Sequence, residues 1–265
     1  MHRNKELKMD ISIYQKEVFE KYHSNSQIAR VLTEDWFKEE MYCPACLNEE
    51  LIKNPNNTKV IDFLCHNCGN SFQLKSQSSS FHSRVLDGAF NPMIEAIIER
   101  TNPNFFFMHY SSEDWEINNL LLIPKFFFSE SIIEKRKPLS ESARRSGWVG
   151  CNILLSKLPF SGKISIIDNK KVMPKNQVQK NWKKLYFLNN QKPEKRAWTA
   201  DVLYCIEKLN KKEFTLNDIY NCEGYLSKTH PNNLHIQAKI RQQLQILRDK
   251  GILEFKNKGN YTIKL

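Results

Sequence analysis

Two closely spaced cysteine pairs constrain this chain more than any other feature of its sequence. Cys43-Pro-Ala-Cys46 and Cys65-His-Asn-Cys68 are separated by 18 residues. Each short pair can direct two thiolates toward one side of a tetrahedral ion, and the intervening loop brings the pairs together. The spacing therefore predicts a Zn²⁺ ion held by Cys43, Cys46, Cys65 and Cys68. Because four protein ligands complete the coordination, this zinc should stabilise the fold and leave no open position for catalysis.

The second cysteine pair lies between residues that have the spacing of a metal-dependent nuclease hairpin. Asp62 precedes the pair, and Gln73 and Lys75 follow it on a strand-like run. Residues two apart on a strand point to the same face, so a hairpin would bring Gln73 and Lys75 near Asp62. Asp62, the Gln73 amide oxygen and the Leu74 carbonyl could then hold Mg²⁺, with the Lys75 ammonium near the attacking water. On spacing alone, an edge strand with solvated polar residues explains the pattern at least as well.

A preceding helix offers one more carboxylate. Glu34 or Asp35 could add a ligand to the same ion, or the two could form an exposed acidic pair. We expect the exposed acidic pair, with the ligand role as the alternative.

The composition indicates a polyanionic partner. The chain has 40 Lys and Arg against 29 Asp and Glu, a net charge of +11, and this excess is spread along the sequence. Seven cysteines, four of them in the two pairs, indicate a reducing compartment, so we expect a cytoplasmic protein. No apolar run approaches the length needed to span a bilayer, and we expect neither a membrane segment nor a signal peptide.

Hydrophobic periodicity predicts a mixed α/β domain over residues 1–190. Polar, proline-interrupted sequence over residues 170–196 is typical of a linker, and we place the domain boundary near residues 185–195. The predicted helices are 14–37, with a break near 24–26, and 87–100; the predicted strands are 60–64, 72–76, 104–110, 116–124 and 163–168.

The remaining segment, residues 191–265, has the pattern of a winged helix-turn-helix. Helices are predicted over 197–209, 215–226 and 233–250, followed by strands over 252–256 and 261–265 around a tight turn. The third helix places Ile236, Ile240, Leu244 and Leu247 on one face and should enter the major groove of DNA. Its candidate DNA contacts are His235, Lys239, Arg241 and Gln242, with Lys256 and Lys258 of the wing on phosphates. For each of these residues a solvated surface position is the alternative.

A loop in the first domain also mixes cations, glycines and an aromatic residue. In Ala-Arg-Arg-Ser-Gly-Trp-Val-Gly, residues 143–150, Arg144 and Arg145 can hold phosphates or guanine edges. Trp148 offers a flat apolar surface to a base methyl group. Packing of this tryptophan in the core is the alternative.

Several of these stretches together resemble the DpnI family of methyl-directed type II restriction endonucleases, within the PD-(D/E)XK nuclease superfamily. The similar segments include SNSQIARVLTEDW, YCPAC, DFLCHNCGNSFQLKS, LDGAF, ARRSGWVGCNI, FTLNDIY and IRQQLQILRDK. The resemblance extends from about residue 20 to the end of the chain. The resemblance implies a nuclease core with an embedded zinc site and a C-terminal winged helix. It implies Mg²⁺-dependent cleavage of double-stranded DNA at G-A-T-C carrying N6-methyladenine, by a monomer.

Residue by residue, Asp62 and Lys75 fall on the metal-binding aspartate and the catalytic lysine of that family, and Trp148 falls on an aromatic residue associated with the methyladenine. Gln73 departs from the pattern, because the family has an acidic residue there. Branches of the superfamily that cut modified DNA also carry Gln-x-Lys, so we expect an active enzyme. A non-enzymatic zinc-ribbon and winged-helix DNA-binding regulator, or a nuclease for another modified site, remain the alternative functions.

Overall fold

A computed structural model describes residues 7–14, 18–55, 61–257 and 259–264, and they divide into two compact units. The first unit contains the described residues up to Phe81 together with Asn102–Lys125 and Lys163–Leu185. The second contains His82–Thr101, Phe126–Gly162 and the described residues from Tyr186 onward. Among the described residues, each helix is too short or too polar to cross a bilayer.

The strands are β1 (Ile52–Lys53), β2 (Phe63–Leu64), β3 (Ser71–Gln77), β4 (Val85–Ala89), β5 (Asn104–Tyr110), β6 (Ile117–Ile123), β7 (Ile133–Lys135), β8 (Gly150–Ile153), β9 (Ile164–Asp168), β10 (Lys171–Val172), β11 (Glu213–Thr215), β12 (Leu253–Asn257) and β13 (Asn260–Ile263). The helices are α1 (Val18–Lys21), α2 (Asn25–Glu40), α3 (Phe90–Glu99), α4 (Lys175–Leu185), α5 (Pro193–Lys208), α6 (Leu216–Tyr220), α7 (Glu223–Thr229) and α8 (Ile236–Asp249).

A seven-stranded mixed sheet forms the first unit. Its order is β1-β2-β3-β5-β6-β9-β10, and only β3 and β5 pair in parallel. The central strand β5 is buried on both faces, as expected for its run of three phenylalanines. Helix α2 packs Phe37 against Phe63 and Phe106, with ring centroids 4.5 and 4.8 Å apart. This packing fixes α2 over the strands that carry the candidate hairpin.

The second unit combines a small sheet with the C-terminal helices. Strands β4, β8 and β7 form an antiparallel sheet, in that order. Helices α5 to α8 and the sheet β11-β13-β12 form a winged helix-turn-helix. Inside it, Thr199 of α5 and the buried Gln243 of α8 are joined by a 2.8 Å hydrogen bond.

Several predicted elements are confirmed. Strand 104–110 matches β5, and the break predicted near residues 24–26 falls where α2 begins. The predicted apolar face of the third helix is buried, with Gly251 at φ 70° after its end. Thr215 caps α6 through a reciprocal capping box with Asp218. The fold is therefore mixed α/β with a C-terminal winged helix, as predicted.

Other predictions were wrong in their bounds. Residues 170–196, in which we expected a linker or boundary near 185–195, contain β10, α4 and the start of α5. Helix α4 forms because Val178, Trp182 and Leu185 make a buried helical stripe. The helix predicted over 87–100 begins only at Phe90, since the preceding residues pair with β8. The helix predicted over 215–226 is two helices, α6 and α7, and β11 adds a strand to the wing. Strand 60–64 is reduced to β2, and residue 60 lies outside the described residues.

Candidate active site and DNA-contacting residues

The four predicted zinc ligands converge on one point. The sulfur atoms of Cys43, Cys46, Cys65 and Cys68 all lie within 4.8 Å of one another. The Cys43–Cys68 and Cys46–Cys65 sulfur pairs are 3.5 and 3.6 Å apart. Tetrahedral coordination with Zn–S bonds of about 2.3 Å requires sulfur–sulfur distances near 3.8 Å, so the cluster fits zinc.

Both halves of this cluster have the same backbone geometry. In the first, the Cys43 N–H donates to Asn48 and the Leu47 N–H donates back to Cys43, each at 2.8 Å. In the second, residues 65, 69 and 70 repeat these bonds at 2.9 and 2.8 Å. Leu47 and Gly69 both have positive φ, 63° and 69°. This repeated turn explains how each pair aims two thiolates at one ion, and the second turn is also the connection between β2 and β3.

Asp62 lies at the start of this connection and is bonded directly to β3. Its N–H donates to the Phe72 carbonyl at 3.0 Å, and its Oδ2 accepts the Leu74 N–H at 2.8 Å. Because these two partners flank Gln73, the carboxylate lies opposite Gln73 on the hairpin. Alternation along β3 places Lys75 on the same face as Gln73. The structure thus brings together Asp62, Gln73 and Lys75, with Leu74 between the latter two.

The Gln73 side chain carries an unsatisfied acceptor. Its Oε1 is buried and accepts no hydrogen bond from any described residue. A buried amide oxygen without a partner is destabilising by about 1–3 kcal/mol, so such atoms occur mainly where a ligand or water completes them. An amide oxygen beside a carboxylate is a suitable donor set for Mg²⁺, which prefers oxygen ligands. The residues therefore fit a divalent cation at this position.

Helix α2 adds charged groups to the same region. Glu34, with 18% of its side chain exposed, accepts a 3.0 Å ion pair from Lys53 of β1. Lys53 also contacts Asp35 at 3.2 Å. Glu34 is therefore held in a paired, largely buried position, and the prediction of an exposed acidic pair was wrong for this residue. Nothing in the sequence pattern had singled out Lys53, because its role depends on β1 pairing with β2.

These neighbours set the ionisation of Asp62. Burial raises the pKa of the Asp62 carboxyl, and the nearby Glu34 charge raises it further. The Leu74 N–H and the positive charges of Lys75 and Lys53 act in the opposite direction without cancelling the effect. Asp62 is thus a partly desolvated carboxylate with a second carboxylate charge nearby, and a bound cation would favour its ionised form.

In the second unit, Trp148 does not pack into the core. It is half-buried at the end of the loop before β8, and the Arg145 guanidinium lies 5.9 Å from its ring centre. Arg144 and Arg145 are exposed. The three predicted residues are thus accessible to a ligand. Arg136, which the sequence had not indicated, lies beside Gly150, the residue that the Trp148 ring contacts.

The candidate contacts in the winged helix differ in their surroundings. Lys239 holds its ammonium 5.7 Å above the Trp198 ring, and Arg241 donates to the Tyr220 hydroxyl at 2.6 Å. Both cations are therefore oriented by neighbouring aromatic residues. His235 and Gln242 are exposed at the beginning and on the outer face of α8.

In the wing, Lys256 is exposed and lies 3.6 Å from Glu254, an ion pair that is weak at the surface. Lys258 lies outside the described residues.

Comparison with known families decides the classification. The model of the DpnI, Dam-replacing family matches residues 9–191, and the Dam-replacing helix-turn-helix domain matches residues 194–263. The chain belongs to the Dam-replacing family. Membership makes it a methylation-dependent restriction endonuclease whose partner is DNA. The resemblance noted in the sequence and the predicted fold class, a nuclease core with a Cys₄ site followed by a winged helix, are confirmed.

Proposed function

We propose that this member of the Dam-replacing family hydrolyses phosphodiester bonds of double-stranded DNA at G-A-T-C sites carrying N6-methyladenine, as a Mg²⁺-dependent monomer. The main observation in favour of catalysis is that Gln73 Oε1 is buried and accepts no hydrogen bond from the described residues. Gln73 lies opposite Asp62 and on the same strand face as Lys75. A DNA-binding regulator without catalytic activity would not require an unsatisfied amide oxygen beside a partly buried carboxylate.

In this proposal Asp62 Oδ1, Gln73 Oε1 and the Leu74 carbonyl would hold the Mg²⁺, and Glu34 is a further carboxylate whose charge acts on Asp62. The ion, when bound, polarises the phosphate and acidifies a water molecule. Lys75 would orient the attacking water and stabilise the negative charge that develops on the phosphate oxygens as the bond to the leaving sugar oxygen breaks. The hydrogen bond from the Leu74 N–H keeps Asp62 Oδ2 directed at β3, so the other oxygen is available to the metal.

Zinc acts only on the structure in this scheme. Its second pair of ligands lies in the turn between Asp62 and Gln73, so zinc holds the two strands of the hairpin at a fixed separation. The catalytic and structural metals are thus coupled through the backbone.

We assign the reading of DNA to two groups of residues. Arg144, Arg145 and Trp148 contact the methylated site, with the indole against the adenine methyl groups. The winged helix, proposed to be the separate domain 191–265, contributes His235, Lys239, Arg241 and Gln242 in the major groove and Lys256 and Lys258 at phosphates. The nuclease domain would then comprise residues 1–190.

Digestion of matched G-A-T-C duplexes, methylated, hemimethylated and unmethylated, tests the proposal. With Mg²⁺ the protein should cut the methylated duplex and spare the unmethylated one. Asp62→Asn removes the negative charge that is proposed to bind Mg²⁺ and leaves the DNA-contacting residues unchanged. It should therefore abolish cleavage while DNA binding persists. Binding without cleavage by the wild-type protein would favour the regulator, and cleavage only at other modified sites would favour a different specificity.

Gln73→Glu is the sharpest test of the metal site. A carboxylate binds Mg²⁺ more strongly than an amide, so this variant should keep or increase cleavage and reach half-maximal activity at a lower Mg²⁺ concentration. Cleavage with an unchanged Mg²⁺ concentration for half-maximal activity would exclude Gln73 as a ligand.

A further inference from the structure

The backbone around Trp148 is held firmly although its ring is half exposed. The Trp148 carbonyl accepts the Leu139 N–H at 2.9 Å, and the Trp148 N–H donates to Arg145 at 3.1 Å. The Gly147 N–H donates to the Leu139 carbonyl at 3.1 Å. The main chain is thereby fixed on both sides of the tryptophan, and the remaining freedom lies in the side-chain torsions.

What limits the ring is Gly150, the first residue of β8. A Cβ atom placed on Gly150 would lie 2.8 Å from both Cη2 and Cζ3 of Trp148. Carbon atoms pack at about 3.5–4.0 Å, so the indole occupies space that any side chain at position 150 would need. Gly150 itself is buried, and its φ does not lie in the left-handed region, so backbone conformation does not demand glycine there.

Cations lie beside this contact. Arg136 Nη1 is 3.4 Å from the same Cβ position, and its backbone N–H donates to the Gly150 carbonyl at 3.0 Å. Arg145 lies near the ring from its own loop. The indole therefore packs directly against the Gly150 backbone, with guanidinium groups beside it. This arrangement suits a DNA base that stacks on or contacts the ring while the guanidinium groups bind nearby phosphates.

We propose that Gly150 is a positioning residue for methyl recognition. Because Gly150 has no side chain, the Trp148 ring packs against its Cα, and this contact sets the position of the ring relative to the methylated adenine. This inference rests on the proposed function, which assigns the adenine methyl groups to Trp148. An added methyl group would displace the ring by about 1 Å, from 2.8 Å to a normal contact. A misplacement of that size at a recognition site lowers rates by up to roughly 100-fold.

The test compares Gly150→Ala with Gly88→Ala in the same small sheet. Gly88 lies in β4, which pairs with β8, and a Cβ there meets nothing within 4 Å. The measured quantity is the ratio of cleavage rates on methylated and unmethylated G-A-T-C duplexes. Gly150→Ala should lower this ratio by roughly 10–100-fold, and Gly88→Ala should leave it within about twofold of the wild type.

Two further measurements separate positioning from loss of folding. With 5-fluorotryptophan incorporated, the Trp148 resonance, assigned by Trp148→Phe, should shift in Gly150→Ala while the other tryptophan resonances stay in place. In a Trp148→Ala background the added methyl group has no ring to displace, so Gly150→Ala should leave the cleavage ratio unchanged.

The outcomes are distinguishable. An unshifted Trp148 resonance, an unchanged cleavage ratio in Gly150→Ala, or an equal loss in the Trp148→Ala background would each overturn the role of Gly150. A wild-type protein that cuts both duplexes equally would instead refute the proposed specificity, and the fluorine spectra would still report whether Gly150 seats the ring.

Discussion

Replacing Gln73 with methionine should stabilise the Mg²⁺-free protein and remove its stabilisation by Mg²⁺. Methionine has a similar size but no acceptor atom, so the substitution removes the buried, unsatisfied Oε1. The desolvation cost of such a group is about 1–3 kcal/mol, which is the gain expected in the free energy of unfolding. For a protein of this size each kcal/mol raises the Tm by about 2–4 °C, so the expected rise is about 2–12 °C.

Mg²⁺ should make the wild type more stable than Gln73→Met. An ion that binds only the folded state at 100 times its Kd adds about 2.7 kcal/mol to the stability of the wild type. Gln73→Met lacks one ligand and should gain little at the same concentration. Thermal unfolding of zinc-loaded protein, without chelator and at increasing Mg²⁺ concentrations, measures both effects, and metal analysis confirms that zinc is retained.

Gln77→Met is the matched control. Gln77 lies on the same face of β3, but its amide already donates to the Ser79 carbonyl at 2.9 Å. This substitution removes a satisfied group, so it should not raise the Tm, and it should leave the Mg²⁺ response intact. A lower Tm for Gln73→Met than for the wild type without Mg²⁺, or the same Mg²⁺ response as the wild type, would refute the argument that Gln73 Oε1 is a cation ligand.

Three further expectations concern the metals, Asp62 and the winged helix. Removing zinc, or replacing Cys65 with serine, should abolish cleavage even at saturating Mg²⁺, and only re-added Zn²⁺ should restore the chelated wild type. Burial and the Glu34 charge raise the pKa of Asp62, so its contribution to stability is full below the pKa of the unfolded chain and is lost as pH rises through the higher folded pKa. The Tm of Mg²⁺-free Asp62→Asn should therefore increase relative to wild type between acid and neutral pH; a constant difference would contradict this. Thr215→Ala removes the N-cap of α6 and should lower the stability of the second unit by about 1 kcal/mol in denaturant unfolding, whereas an unchanged midpoint would show that the cap contributes nothing.

Features that depend on short-range spacing could be predicted from the sequence. The cysteine pairs, the alternation of Gln73 and Lys75, and the apolar face of α8 follow from chain geometry over a few residues, and each has the predicted arrangement. Helix α4 could also have been found, because its buried residues have helical spacing, but the surrounding polar residues concealed the signal.

Features that depend on distant segments could not be predicted in this way. Lys53 reaches Glu34 only because β1 pairs with β2 and α2 packs over the sheet. Likewise, the contact of Gly150 with Trp148 depends on how a loop folds back over β8, and no periodicity describes it.

The sequence by itself therefore determined the Cys₄ cluster that fits zinc, the candidate catalytic hairpin and the winged helix, since these arise from local geometry and hydrophobic patterning. Only the tertiary structure decided that Gln73 Oε1 is buried with no hydrogen-bond partner among the described residues. It also decided that Glu34 and Lys53 act on Asp62 and that Trp148 packs against the Gly150 backbone. Burial and electrostatic environment are properties of the packed chain, because they sum contributions from residues that lie far apart in the sequence.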